Sequence, residues 1–123
     1  MHETALAAGI MRIVREEARR YNVARITKID LQVGLLSAVE AQTLSACFEL
    51  LAEDSVAQGA VLKIATVPLP AYCTSCGQVF ELAARSFVCP RCRSSDIHFE
   101  GGQGCTIRSI SAERADSEQE RPV

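Results

Sequence analysis

Tryptophan is absent from this chain of 123 residues, and only two tyrosines and four phenylalanines supply large rings. A core must be filled mainly by aliphatic side chains, and a hydrophobic content of 48% suffices for one modest domain with a small appendage. Charge of one sign is also lacking. Thirteen Lys and Arg face fifteen Asp and Glu, a formal net charge of -2, which excludes a global positive field for nucleic acid or an anionic bilayer. Long apolar runs are missing too. The stretches Ala5–Met11 and Val33–Leu36 fall far short of the roughly 18–20 residues that span a membrane. No Lys or Arg precedes Arg12, so the basic start of a secretory signal is absent, and a soluble, cytoplasmic protein is expected. Histidine is scarce, with His2 and His98 alone, and no Ser, His and acid set suggests a hydrolytic triad. Nor is there a G-x-x-x-x-G-K-[ST] loop to cradle nucleotide phosphates, so an enzyme is not expected.

What is present is cysteine. Six in a cytoplasmic chain need a reason, because reducing compartments seldom let structural disulfides persist. Cys73 and Cys76 form one Cys-x2-Cys pair and Cys89 and Cys92 a second, completing C-x2-C-x12-C-x2-C. That is zinc spacing: two tight loops facing each other present four thiolates to one tetrahedral ion. With all four positions filled by sulfur, a structural rather than catalytic Zn2+ is expected. Four thiolates and one Zn2+ leave a charge of -2, for which backbone N–H groups or Arg91 and Arg93 are the candidate counterweights. Gly77 after the first pair suits a backbone that needs positive φ, and Pro90 stiffens the second. Tyr72, Phe80, Phe87 and Phe99 read as the small core of this module. Cys47 and Cys105 fit no metal spacing and read as small buried hydrophobes.

The rest of the chain alternates helix and strand signals. Leu6, Ile10, Ile13, Val14 and Tyr21 recur at three- and four-residue intervals, which predicts an amphipathic helix over 4–21 capped by Thr4. Its other face carries Arg12, Arg15 and Arg19, read as a solvated face in preference to a docking surface for an acidic partner. Residues 26–33 alternate as a strand with one wet face. Ser37 followed by Glu40 has the capping-box spacing, predicting a second helix from there with Leu44, Phe48 and Leu51 on its apolar stripe. A strand over 60–67 follows a turn at Gly59. Pro68 and Pro70 then mark a domain junction, and 71–98 reads as loop-rich and dependent on its metal. Gly101, Gly102 and Gly104 read as a flexible joint before a last strand over 105–111. Its Ile107 and Ile110 break period two, which predicts a bulge or an edge position. The fold expected is α+β, two helices packed on a small mixed sheet with an inserted zinc-ribbon domain. Residues 1–69 and 103–114 form the first domain, 70–102 the ribbon, and 115–123 a disordered tail.

The start of the chain offers a second metal site. With Met1 retained, its α-amine, the His2 backbone nitrogen and the His2 imidazole close fused chelate rings, and the Glu3 amide or carboxylate is available as fourth donor. Such a planar, nitrogen-rich set suits Ni2+ or Cu2+ better than Zn2+. On the residues alone, a zinc-ribbon adaptor binding protein or nucleic acid stays open beside a nickel carrier, with a Cys-x2-Cys oxidoreductase behind both.

Taken together, several segments resemble the HypA/HybF family of nickel-incorporation proteins. They are Met1-His2-Glu3 opening a helix, Gly34-Leu35-Leu36-Ser37, Phe48-Glu49-Leu50-Leu51, and Cys73-x2-Cys76-Gly77 with Cys89-Pro90-x-Cys92. The likeness covers about residues 1–113. It implies a cytoplasmic metallochaperone that binds Ni2+ as transient cargo and passes it, with a maturation GTPase of the same pathway, to the [NiFe]-hydrogenase large-subunit precursor. Some relatives also serve urease, which brings urease accessory proteins into the expected partners; neither nucleic acid nor membrane is among them. By the same resemblance His2 is the principal nickel ligand with Met1 and Glu3 in the site, while Cys73, Cys76, Cys89 and Cys92 hold structural zinc. The glycine-rich 101–104 segment and the residues after Glu113 depart from the family pattern.

Overall fold

The structure is a computed structural model, described here for residues 2–114. The expected tail over 115–123 lies outside the described residues. Eight elements follow in chain order: α1 (Glu3–Arg20), β1 (Val23–Gly34), α2 (Ala41–Ala52), β2 (Val61–Val67), β3 (Leu69–Cys73), β4 (Val79–Leu82), β5 (Ile97–Phe99) and β6 (Cys105–Arg114). They build two three-stranded sheets, with strand orders β2-β1-β6 and β4-β3-β5. The class is α+β, two helices with small sheets and a cysteine-rich insertion between β2 and β6. Two compact units result: one of residues 2–31, 38–64 and 107–114, the other of 32–37 and 65–106.

In the first unit α1 and α2 pack on each other. The face α1 buries consists of Ala7, Ile10, Met11, Val14 and Ala18, a stripe at helical spacing. Ile13 and Tyr21, expected on that stripe, are instead 41% and 59% exposed. Small side chains at positions 7 and 18 allow close helix contact, and this turns the larger residues outward. In α2 the buried residues are Leu44, Phe48 and Ala52, so the stripe ends on Ala52 rather than on the partly exposed Leu51. Ile26, Ile29 and Leu31 of β1 are fully buried. Between Ile26 and Ile29 the burial of β1 skips a residue, as it does between Ile107 and Ile110 of β6. The opposite, wet face of this sheet is laced by Ser109 Oγ donating to Asp30 at 2.8 Å and Thr27 Oγ1 donating to the Ser111 carbonyl at 3.1 Å. β6 occupies an edge of its sheet, one of the two outcomes its broken periodicity predicts.

Helix α2 begins later than the capping-box spacing predicts. Glu40 is itself the N-cap, its carboxylate accepting from the Thr43 N–H at 2.9 Å and the Thr43 hydroxyl at 3.0 Å. Ser37 is released for another task, its hydroxyl donating to the Gly104 carbonyl at 2.9 Å.

The second unit is more regular than its composition suggests. Strand β3 pairs antiparallel with β4 and with β5, and Leu35, Leu69, Ala71 and Leu82 form a core against which Leu36, Phe80, Ile97 and Phe99 pack. Phe87 stacks on Phe99, with ring centroids 5.8 Å apart. Tyr72 lies at the surface against His98 instead of in the core, with centroids 5.1 Å apart. The glycine segment is no loose joint. Gly102 accepts from the Leu36 N–H at 2.6 Å and Gly104 from the Gly34 N–H at 3.0 Å. A Cβ on Gly34 would collide with the Gly102 carbonyl, and Gly102 itself has φ +87° with Leu36 and Leu69 closing on it. Arg85 fastens the same turn by donating to the carbonyls of Leu35 at 3.3 Å and Ser37 at 3.0 Å.

Candidate metal centres

Each Cys-x2-Cys pair closes a turn of the same design. In the first, Cys73 ends β3, the Gly77 N–H donates to the Cys73 carbonyl at 2.8 Å, and Gly77 has φ +78°. In the second, the Arg93 N–H donates to the Cys89 carbonyl at 2.9 Å, and Arg93 has φ +67°. Arg93 therefore stands where the first turn has glycine, a left-handed conformation that disfavours a side chain. Thr74 donates both its N–H and its hydroxyl to the Asp96 carbonyl at 2.8 Å, while Ser75 and Ser94 join the two turns through their hydroxyls at 3.0 Å.

Four sulfurs result, all within 4.8 Å of one another. Cys73 and Cys92 are 3.6 Å apart at Sγ, and Cys76 and Cys89 3.7 Å. A tetrahedron of thiolates around an ion at a Zn–S distance of about 2.3 Å has edges of about 3.8 Å, so the set fits Zn2+ with little adjustment. Cys73 and Cys89 are buried, Cys76 and Cys92 exposed. Backbone N–H groups already point at the sulfurs: Cys76 at Cys73 at 3.4 Å, and Arg91 and Cys92 at Cys89 at 3.4 and 3.5 Å. The Cys76 N–H holds the Cys73 thiol below its ordinary range, and the Cys92 N–H, helped by that of Arg91, brings Cys89 down to about 7. Against the Ser94 N–H, loss of solvent and the neighbouring sulfurs push Cys92 up to about 11. A cation removes that conflict by binding all four as thiolates. Arg91 contributes to the charge balance through its backbone N–H, while its guanidinium reaches Gln78 at 3.3 Å, and the Arg93 N–H goes to the Cys89 carbonyl rather than to a sulfur.

At the other site, Met1 lies outside the described residues. His2 is the N-cap of α1, extended at φ -90° and ψ 113°, with no side-chain cap bond. Its carbonyl accepts the first helical bond from Leu6, while its imidazole is exposed without a partner among the described residues. Thr4, expected as the cap, is inside the helix with its hydroxyl 3.4 Å from Cys47 Sγ. Glu3 reaches across to α2, and its carboxylate accepts the Glu40 N–H at 2.9 Å. That bond is the main reason its carboxyl lies below the usual range. The Glu3–Glu40 link was beyond sequence reading, because it joins residues 37 apart through a backbone group. Cys47 and Cys105 are half-buried rather than core residues.

The chain thus combines a helix that opens at a histidine, a two-helix α+β scaffold, and a four-cysteine cluster on two knuckles inserted in sequence between β2 and β6. The model of the family described as hydrogenase/urease nickel incorporation, metallochaperone, HypA matches residues 1–112. The chain belongs to the HypA family. Hydrogenase maturation factor HypA of Albidiferax ferrireducens is 34% identical over 113 residues, covering 92% of this chain and all of the relative. HypA 2 of Bradyrhizobium diazoefficiens is 37% identical and HybF of Klebsiella pneumoniae 34%, with the same coverage. The solution structure of the Ni metallochaperone HypA from Helicobacter pylori superposes with a TM-score of 0.64 at 24% identity, covering 93% of this chain and 99% of that one. This likeness to a HypA structure is one of fold. Among the described residues no helix is long and apolar enough to cross a membrane.

Proposed function

We propose that this HypA-family chain carries Ni2+ at its N-terminus and delivers it to the [NiFe]-hydrogenase large-subunit precursor, acting with the maturation GTPase of that pathway. Residues 1–69 and 103–114 carry the nickel site, and 70–102 hold a structural Zn2+ on Cys73, Cys76, Cys89 and Cys92. The observation that carries the reading is His2. It belongs to the matched span of a nickel-incorporation family, and its imidazole is exposed and uncommitted. With Met1 as first residue, its amine and the His2 amide and imidazole nitrogens supply three donors in one plane. The Glu3 carboxylate is engaged by Glu40, so Glu3 supplies the fourth position through its own backbone amide. Such a terminal chelate leaves both axial directions open to an acceptor, which transfer requires. Urease accessory proteins are further recipients, consistent with the double description of the family.

The test is metal stoichiometry by variant. Untagged protein should bind one Ni2+ and one Zn2+ per chain. His2→Ala, or a single alanine inserted before Met1, should abolish tight nickel binding and leave zinc content at one. Nickel binding indifferent to both changes would overturn the assignment.

A further inference from the structure

The four sulfurs of the cysteine cluster are not equivalent. Backbone N–H groups are directed at the two buried ones, from Cys76 to Cys73 at 3.4 Å and from Arg91 and Cys92 to Cys89 at 3.4 and 3.5 Å. Of the two exposed cysteines, Cys92 has the Ser94 N–H against it. Cys76 is exposed and, among the described residues, receives no N–H at its sulfur. The approach to it is open as well, since Gly77 follows and nothing stands within 4 Å of where a Cβ on that glycine would be. The Cys76 sulfur lies 3.7 Å from that of Cys89 on the other turn. The Ser75–Ser94 bond at 3.0 Å and the two bonds from Thr74 to the Asp96 carbonyl at 2.8 Å hold the turns in that facing position.

A cation bound by the set keeps all four as thiolates. Each donated N–H stabilises the charge on its sulfur and blunts its attack on an electrophile, and burial shields it further. Thiolate character, exposure and a second cysteine within reach favour oxidation to a disulfide, and Cys76 combines all three. Cys47 and Cys105 are half-buried and lie outside the cluster. We propose that Cys76 is a site of oxidative modification, attacking hydrogen peroxide and then being resolved by Cys89 into a disulfide that releases the zinc. In the first step the Cys76 thiolate attacks one peroxide oxygen, an S–O bond forms as the O–O bond breaks, and hydroxide leaves a sulfenic acid behind. In the second the Cys89 thiolate attacks the Cys76 sulfur, the S–S bond forms as the S–O bond breaks, and a second hydroxide departs. The two sulfurs give up two electrons and the peroxide takes them. Cys73 and Cys92 then remain as two ligands where four closed the shell, too few to keep the ion. The proposal rests on the zinc reading of the cluster and is independent of nickel.

The test uses the untagged full chain, free of nickel, with its zinc content measured first. Hydrogen peroxide is added in amounts up to that of the protein, once with dimedone to trap sulfenic acid and once with a chromogenic chelator that reads free Zn2+. Peptide mass mapping locates the trapped and bridged cysteines. Cys76 should take the trap at least about tenfold more than any other cysteine of the cluster. Without the trap, the Cys76–Cys89 disulfide and free Zn2+ should appear in equal amounts, and dithiothreitol with added Zn2+ should restore the starting protein. A trap spread evenly over the four or centred on another of them, a disulfide within one turn, or zinc retained after the peroxide is consumed would each overturn the proposal. Protein that carries no zinc before any oxidant is added would instead refute the zinc reading, and this proposal with it.

Discussion

At the scale of the residue, Glu3 and Arg93 show how much depends on backbone groups. Glu3 joins α1 to the N-cap of α2 through its carboxylate, and the Glu40 N–H that it accepts lowers its pKa. A depressed carboxyl stabilises the fold fully above the ordinary carboxylate pKa, and the contribution is lost as pH falls through the lowered value. Thermal unfolding of the parent and of Glu3→Gln should therefore differ at neutral pH and converge in acid. Arg93 holds a left-handed φ of +67° that glycine adopts without penalty, as Gly77 does at the equivalent place. Arg93→Gly should raise stability by up to ~1 kcal/mol and Gly77→Ala lower it by about as much, measured by denaturant unfolding of the zinc-loaded protein. The clustering of Cys73, Cys76, Cys89 and Cys92 was legible from spacing alone, because it is encoded in the turns themselves. The Glu3 bond was not, because its donor, the Glu40 backbone N–H, gives no side-chain signal. For the same reason Ser37-x2-Glu40 looked like a capping box: the pattern was real, but the tertiary bond of Ser37 to Gly104 took the serine away and left Glu40 as cap.

Among the elements, those with long periodic patterns were the ones the sequence announced. Both helices and the strands around 26–33, 60–67 and 105–111 lie where apolar spacing puts them. The errors concern which residues face inward. Ala7, Ala18 and Ala52 displaced Ile13, Tyr21 and Leu51 from the buried faces, since close helix packing rewards small side chains that hydropathy undervalues. Phe48 is the largest of the fully buried side chains, and Phe48→Ala should cost about 3–5 kcal/mol in chemical unfolding. Strands β4 and β5, of four and three residues, escaped notice because so short a run carries no readable period. The glycines at 101–104 look mobile in composition, yet Gly102 serves close approach to Leu36 and Leu69. Gly34→Ala should be strongly destabilising, because its Cβ would meet the backbone of Gly102 rather than a side chain that can yield.

For the whole molecule, the proposed function asks for two metal sites of opposite character on one chain. The four-sulfur site is closed, carries its own N–H groups and fits an ion that stays. In the proposed terminal site both the amine and the imidazole must be free of their protons to bind the metal, so nickel affinity should fall as the pH is lowered. Zinc should be retained where nickel has left. The most direct measurement is a Ni2+ titration of the untagged, zinc-loaded protein, followed by its visible absorption spectrum, before and after selective acetylation of the α-amine. One equivalent bound with the d-d band of planar nickel, lost on acetylation while zinc remains, is the expected result. Unchanged uptake by the acetylated protein, or uptake that displaces zinc from the four cysteines, would contradict it.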